Sequence, residues 1–144
     1  MKPKISPIIK NISFNVSSHY LDNNYEFKVE IDDNLNTEYT VISPEKARNL
    51  KFNFSGDIFI VSFNNLTQKF SIEDLPENFL PKIINCGLKS CKGENIIIHS
   101  KNNQHYISFY YYGEPYKLFF AETGLPLKIT GNNSSIIFKQ TTLR

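Results

Sequence analysis

The chain has 144 residues, of which 40% are hydrophobic and 14% aromatic, so it is neither disordered nor collagen-like and is long enough for one domain with a core. It holds 18 Ile, 12 Phe and 8 Tyr but only 2 Ala, a composition rich in strand formers that argues against a mainly helical protein. The formal net charge of +2 is too balanced to indicate a nucleic-acid partner.

The first half of the chain is dominated by strand patterns. Residues 1–12 precede the first of them and are predicted to form an extended arm of a single domain that spans residues 1–144. Apolar and polar residues alternate in several segments, as they do in half-buried strands, and one segment, Ile58–Phe63, is apolar on both faces. Strands are predicted at Tyr25–Asp32, Leu50–Phe54, Ile58–Phe63 and Thr67–Ile72, joined by short turns into a meander.

One short amphipathic helix interrupts the strands. Within the segment 78–88, the apolar residues Leu80, Ile83, Ile84 and Leu88 recur at helical spacing. Gly87 is a stop signal near the end of this pattern.

The second half returns to strands, at Ile96–His99, Tyr106–Tyr112, Tyr116–Phe120, Leu127–Thr130 and Ser135–Thr141. Because short loops join them, consecutive strands are expected to be antiparallel neighbours. A sheet that is apolar on one side needs a cover, and one short helix is a small cover for about ten strands. We therefore expect a mainly β (β-rich α+β) fold, a curved antiparallel half-barrel with the helix on its concave face. An apolar cleft or a partner would complete such a face.

The sequence carries no catalytic signature. No nucleophile-elbow, metalloprotease or phosphate-binding motif occurs, so we expect a protein that is not an enzyme and has no cofactor or metal. His99 and His105 flank a turn, and symmetric pairing around it would bring them together as a metal or catalytic site; the alternative is two surface histidines. A local disulfide between Cys86 and Cys91 requires the helix to end between them, and the alternative is two free thiols.

The aromatic residues are the richest chemical feature. The Tyr110–Tyr112 run and its neighbours either fill the core or present a surface for a partner or ligand, because Tyr is favoured at interfaces. An RNA-stacking platform is disfavoured because only Lys117 lies close in sequence. The candidate partner or ligand surface consists of Phe59, Val61, Phe63, Phe79, Ile83, Tyr110, Tyr111, Tyr112 and Phe119.

Two stretches resemble a known family. Val41–Phe54 contains Ser-Pro-Glu and then Leu-x-Phe-x-Phe before the Ile58–Phe63 strand, and Tyr116–Ile129 contains Thr-Gly-Leu-Pro. In this order, over roughly residues 25–140, they resemble the lipoprotein-carrier-like (LolA-like) proteins, closest to small clostridial spore-germination lipoproteins. The resemblance implies a half-open barrel with helices in its mouth, a cavity that holds acyl chains in the carrier itself.

The resemblance also implies a function. Only one helix is predicted and none precedes the first strand, which favours the spore-germination group. That group implies a non-catalytic, extracytoplasmic binding module, the soluble part of a membrane-anchored lipoprotein whose signal and lipid anchor lie upstream. Its partner would be a protein such as a cell-wall amidase in spore cortex formation. The alternative is a carrier of an acyl chain or other apolar ligand in the cleft. We further expect a homodimer through edge strands, no nucleic acid, and membrane contact only through the anchor.

Overall fold

The computed structural model describes residues 6–20, 23–43, 45–75, 79–92, 96–131 and 135–143. Within these ranges the chain forms eleven strands, one α-helix and two short 3-10 helices, Glu45–Ala47 and Ile72–Asp74. The strands are β1 (Ile12–Tyr20), β2 (Asn23–Ile31), β3 (Thr37–Ser43), β4 (Lys51–Ser55), β5 (Ile58–Phe63), β6 (Leu66–Ser71), β7 (His99–Lys101), β8 (Gln104–Tyr111), β9 (Glu114–Phe120), β10 (Pro126–Thr130) and β11 (Ser135–Leu143). The helix α1 spans Leu80–Lys89, between β6 and β7.

All eleven strands belong to one open antiparallel sheet. Their order is β6-β5-β4-β3-β2-β1-β11-β10-β9-β8-β7, so β6 and β7 are the two edges. Two meanders of sequence neighbours, β1–β6 and β7–β11, are joined where β1 pairs with β11. The predicted mainly β, antiparallel architecture is confirmed.

The two faces of the sheet differ because successive side chains in a strand point to opposite sides. We call the face that carries the buried side chains the inner face and the opposite one the outer face. Residues that pair across strands share a face, and one row on the inner face runs from Phe14 through Val29 to Tyr39, all of them buried. A second such row joins Ile136, Ile129 and Leu118.

The helix lies on the inner face and touches both halves of the sheet. The side chain of Asn85 meets Tyr39 of β3, and the thiol of the next residue, Cys86, donates to the backbone oxygen of Tyr110 in β8, with a sulfur–oxygen distance of 3.6 Å. Six strand spacings separate β3 from β8 in the sheet order, about 29 Å in a flat sheet. A helix about 10 Å across reaches both strands only because the sheet curves around it. The predicted half-barrel with a helix on its concave face is thus confirmed.

Gly87 does not end the helix, contrary to the sequence expectation. The helix continues through it to Lys89, and at Gly87 the helix backbone comes close to the sheet. A Cβ at this position would lie 3.0 Å from Phe109 Cζ and 3.3 Å from Ile129 Cδ1. The residue without a side chain therefore sets the distance between helix and sheet, and the terminus falls at the C-cap residue Ser90. The predicted start of the helix pattern, Asn78, lies outside the described residues.

The strand predicted at Ile96–His99 was wrong, since β7 spans His99–Lys101. The turn that follows determines where the strand begins to pair. Asn102 and Asn103 both adopt positive φ, 53° and 64°, and form a two-residue hairpin loop between Lys101 and Gln104. Pairing therefore starts beside the turn, and Ile98 packs against the core instead of joining the ladder.

Candidate functional site

A cluster of five aromatic rings occupies the inner face beneath the start of the helix. Phe59 lies at its centre, with ring centroids 4.7 Å from Phe54, 5.4 Å from Phe52 and 5.3 Å from Phe79. Phe70 of the edge strand is 6.4 Å away. Phe79 immediately precedes α1 and meets Phe59 edge to face, a favourable geometry for two rings. These five residues, the aromatic cluster, hold the start of the helix on β4–β6.

Beyond the aromatic cluster, the inner face becomes open to solvent. The inner-face residues of β5 are Phe59, Val61 and Phe63, and their exposure rises in that order from buried through half-buried to 38% exposed. Phe63 pairs with Leu66 of the edge strand, which is 76% exposed. We call Val61, Phe63 and Leu66 the apolar tip, because they surround the end of the β5–β6 hairpin. An apolar surface thus continues from the core into solvent.

A buried polar network fastens the helix to β3. The phenol of Tyr39 donates to Asn85 Oδ1 at 2.7 Å, and the hydroxyl of Thr37 donates to the same oxygen at 3.1 Å. All three residues are buried. Burial raises the pKa of the Tyr39 phenol well above its ordinary value, although the hydrogen bond with Thr37 acts in the opposite direction. The network therefore stays neutral and fixes the position of α1 across the inner face.

A buried lysine fastens the helix to the opposite half of the sheet. The ammonium group of Lys82 donates to the hydroxyl of Tyr112 at 2.8 Å and to the backbone oxygen of Leu75 at 3.2 Å. Tyr112 forms a two-residue turn with Gly113, and both adopt positive φ, 50° and 77°. This contact ties α1 to the β8–β9 hairpin and satisfies two donors of a cation that is almost fully buried.

The nine residues of the candidate surface are divided between the two faces of the sheet. Phe59, Phe79 and Ile83 pack at the start of the helix, and Val61 and Phe63 belong to the apolar tip. Tyr111 is buried on the inner face and Tyr112 lies in the adjacent turn. Tyr110 and Phe119 are on the outer face, since their neighbours Tyr111 and Leu118 point inward. The structure therefore brings five of the nine residues together at β5 and the helix start.

Sequence reasoning missed Leu66 and Lys82. Leu66 is the second half of the apolar tip, and hairpin register was the signal that would have found it: counting outward from the Asn64-Asn65 turn places Leu66 opposite Phe63. Lys82 carried no such signal, because its acceptor Tyr112 lies in a turn that is 30 positions later in the sequence.

The histidine site proposed as an alternative is not formed. The hairpin register pairs His99 with Tyr106 and Ser100 with His105, so the two histidines are offset and lie on opposite faces. The ring of His99 stacks on Tyr106 at 5.1 Å, and the ring of His105 shares a 2.8 Å hydrogen bond with the hydroxyl of Ser100. No group of three or more His, Cys, Asp or Glu that could hold a metal ion is found in the part of the chain that the structure describes.

Both cysteines are free thiols. The helix ends at Lys89, between the two, and each thiol donates to a backbone oxygen at 3.6 Å: Cys86 to Tyr110, and Cys91 to Gly87. Burial raises the pKa of Cys91 to about 12. Burial also raises the pKa of Cys86, with the charge of Lys89 opposing the shift. Neither thiol has the lowered pKa of a reactive cysteine.

The raised pKa of Cys91 predicts a loss of stability in alkali. The unfolded chain releases this proton near pH 9 while the folded chain keeps it to about pH 12, so the stabilisation is complete below pH 9 and is lost as the pH rises. We expect the free energy of unfolding to fall by about 1–2 kcal/mol more between pH 7 and 10 in the wild type than in Cys91→Val. Urea titrations at both pH values measure this difference. Equal losses in the two proteins would contradict it.

No helix among the described residues is long and apolar enough to cross a membrane.

A solved structure shares the overall fold of this chain. A LolA superfamily protein from Nitrosomonas europaea aligns over 96% of this chain and 89% of its own length, with a TM-score of 0.55. The chain has a LolA-like fold. The two sequences are 11% identical, so this likeness concerns the LolA-like architecture and not a shared ligand. No family model matches the sequence, and a search of curated proteins found no match.

Proposed function

We propose that this LolA-like domain is a non-catalytic binding module that uses its apolar tip to bind a partner protein. The observation that carries the proposal is the apolar strip along β5 from the buried ring of Phe59 through Val61 to the exposed Phe63, which Leu66 extends onto the edge strand. The end of this surface at Phe59 is rigid, because it belongs to the core. A partner that covers the exposed end, at the apolar tip, would bury apolar area without first ordering the surface it binds.

The packing beneath the helix start favours a protein partner over an acyl chain enclosed at that position. The five rings of the aromatic cluster occupy the space beneath the helix start. A cleft between α1 and the β2–β3 end of the sheet, lined by residues that include Leu35 and Leu88, has a volume of about 10 Å³. That is room for about one water molecule, whereas small-molecule pockets measure about 300–1,000 Å³. A protein can cover the apolar tip from outside with its own side chains.

The chemistry of the buried groups supports a non-catalytic role. Burial keeps the phenol of Tyr39 and the thiol of Cys91 protonated, which is the opposite of the activation that a nucleophile requires. Lys82 already donates hydrogen bonds to two protein oxygens. These groups hold α1 in place and are not directed at a common reacting atom.

For the partner, we propose a cell-wall amidase that acts in spore cortex formation, in line with the family resemblance of the sequence. The chain would then be the soluble part of a membrane-anchored lipoprotein outside the cytoplasm. Its unpaired edge strands, β6 above all, would further allow a homodimer by strand pairing.

Binding of a purified spore-cortex amidase, measured by isothermal titration calorimetry, tests the proposal. We expect the double variant Phe63→Ser, Leu66→Ser to weaken binding by about 30-fold or more, as the loss of central apolar contacts does. The matched control is Ile58→Ser. Ile58 is 49% exposed on the same strand but points to the outer face, so this variant should bind like the wild type.

Three results would contradict the proposal. Equal weakening by Ile58→Ser would show that the apolar tip is not the binding surface, and no heat of binding with the wild type would exclude the amidase. Mass spectrometry of protein purified from lipid-containing cells would favour the carrier alternative if it found one acyl chain per molecule.

Light scattering of the same samples tests the homodimer, which requires a molecular mass that doubles as the protein concentration rises.

A further inference from the structure

The outer face of the second meander carries a row of paired residues that crosses five strands. His99, Tyr106, Phe119, Lys128 and Ile137 follow one another in register from β7 to β11. His99 stacks on Tyr106 at 5.1 Å, and Tyr106 lies 5.3 Å from Phe119. Aromatic rings on a solvent-facing surface therefore form a continuous floor.

Lysine ammonium groups lie over this floor. The ammonium of Lys117 is 4.8 Å from the centroid of the Tyr106 ring, and that of Lys128 is 4.9 Å from the centroid of Phe119. Lys139 follows two residues after Ile137 on the same face of β11. We call Lys117, Lys128 and Lys139 the lysine face. The rings attract the cations and hold two of them in place above the sheet.

The lysine face has no counter-charge of its own. In strands β7–β11 the one acidic residue is Glu114, which pairs with the inner-face residue Tyr111 at the hairpin end. The other half of the outer face differs, because Lys28 is 3.4 Å from Glu30 and Lys51 is 3.4 Å from Glu38. Among the described residues, none of the ion pairs involves the lysine face. Its charge is therefore available to an external anion.

Exposed apolar side chains beside the lysines indicate the form of that anion. Tyr110 is 74% exposed and Ile137 is 48% exposed, both on the outer face. The ring of Tyr106 already contacts both His99 and the ammonium of Lys117, and Phe119 is buried beneath Lys128, which disfavours stacking of a nucleobase on either ring. Lysine, tyrosine and an exposed aliphatic residue on one rigid surface are instead the combination that suits a lipid–water interface.

We propose that the outer face of β8–β11 binds directly to the surface of an anionic phospholipid bilayer. The three ammonium groups of the lysine face contact phosphates of the headgroups, while Ile137 and Tyr110 insert among them. The apolar tip is on the other face of the sheet and remains available to its own partner.

Co-sedimentation with vesicles tests this inference. The wild type should bind vesicles of 30% phosphatidylglycerol in phosphatidylcholine, and binding should be lost with pure phosphatidylcholine or in high salt. Changing Lys117, Lys128 and Lys139 to Gln together should weaken partitioning by roughly 100-fold, at about fivefold per lysine. The same three positions changed to Arg should retain binding, which separates loss of charge from damage to the fold.

The matched control alters charge elsewhere on the outer face. Lys28→Gln, Lys51→Gln, Lys69→Gln changes the net charge by the same amount and should bind within about threefold of the wild type, because these lysines lie outside the lysine face. Equal weakening by the control would overturn the inference. A second result would also overturn it: wild-type protein binds inorganic polyphosphate as strongly as vesicles, and Ile137→Ser leaves that binding unchanged. The site would then recognise phosphate without a bilayer. The Phe63→Ser, Leu66→Ser variant should bind vesicles normally, which keeps this test independent of the proposed function.

Discussion

Replacing Phe59 with Ala should lower the free energy of unfolding by about 3–5 kcal/mol, the usual cost of removing a buried phenylalanine ring. The ring is fully buried and contacts four other rings, so its loss leaves a cavity at the centre of the aromatic cluster. Far-UV circular dichroism in urea measures the effect. It is used in place of tryptophan fluorescence because the chain has no Trp.

Two neighbours of Phe59 provide matched controls. Ile58→Ala removes an exposed side chain from the outer face and should cost less than about 1 kcal/mol. Phe63→Ala removes a ring at the apolar tip and should also be mild, but it should weaken binding of the partner. A Phe59→Ala protein as stable as the wild type would contradict the assignment of this ring to the core.

Replacing Asn85 with Leu should be similarly damaging, although the two side chains have nearly the same size. The substitution removes the oxygen that accepts from both Tyr39 and Thr37, and it leaves the Tyr39 phenol with only a long contact of 3.5 Å to the backbone oxygen of Pro81. A buried hydroxyl left without a good partner costs about 1–3 kcal/mol, so the expected total loss is about 2–5 kcal/mol in the same urea titration.

A compensated variant tests whether hydrogen bonding is the cause. Thr37→Val, Tyr39→Phe, Asn85→Leu removes every polar group of the network together and should recover more than half of the stability lost in Asn85→Leu. If the triple variant is less stable than Asn85→Leu alone, packing rather than hydrogen bonding determines the effect.

The strands were predictable where one periodicity dominates. The bounds of β5 agree with the predicted Ile58–Phe63, and α1 differs from the predicted segment 78–88 by one or two residues. The failures arose where tertiary contact outweighed a local preference. Gly87 was interpreted as a stop signal, yet its lack of a side chain serves the close approach to Phe109, which lies 22 positions later in the chain.

The candidate site was less predictable because strand register decides which residues meet. Tyr110 and Tyr111 are adjacent in sequence but lie on opposite faces, and a strand that is apolar on both sides does not indicate which face is the core. The lysine face was missed for the same reason. Lys117, Lys128 and Lys139 are each eleven positions apart and come together through pairing of three strands. In the sequence, Lys117 is the one lysine near the tyrosine run, so the other two lysines were not considered together with it.

The pairing of β1 with β11 also sets the order in which the sheet can form. Within each meander most partners are close in sequence, whereas Ile12 pairs with Leu143, 131 positions away. Closing so long a loop costs more chain entropy than forming any hairpin, which predicts that this central seam forms last and limits the folding rate. Of the eleven strands in the described sheet, β11 leaves the ribosome last, and until it pairs, β1 and β10 each lack a partner on one side. This sheet is therefore most exposed to aggregation just before β11 emerges.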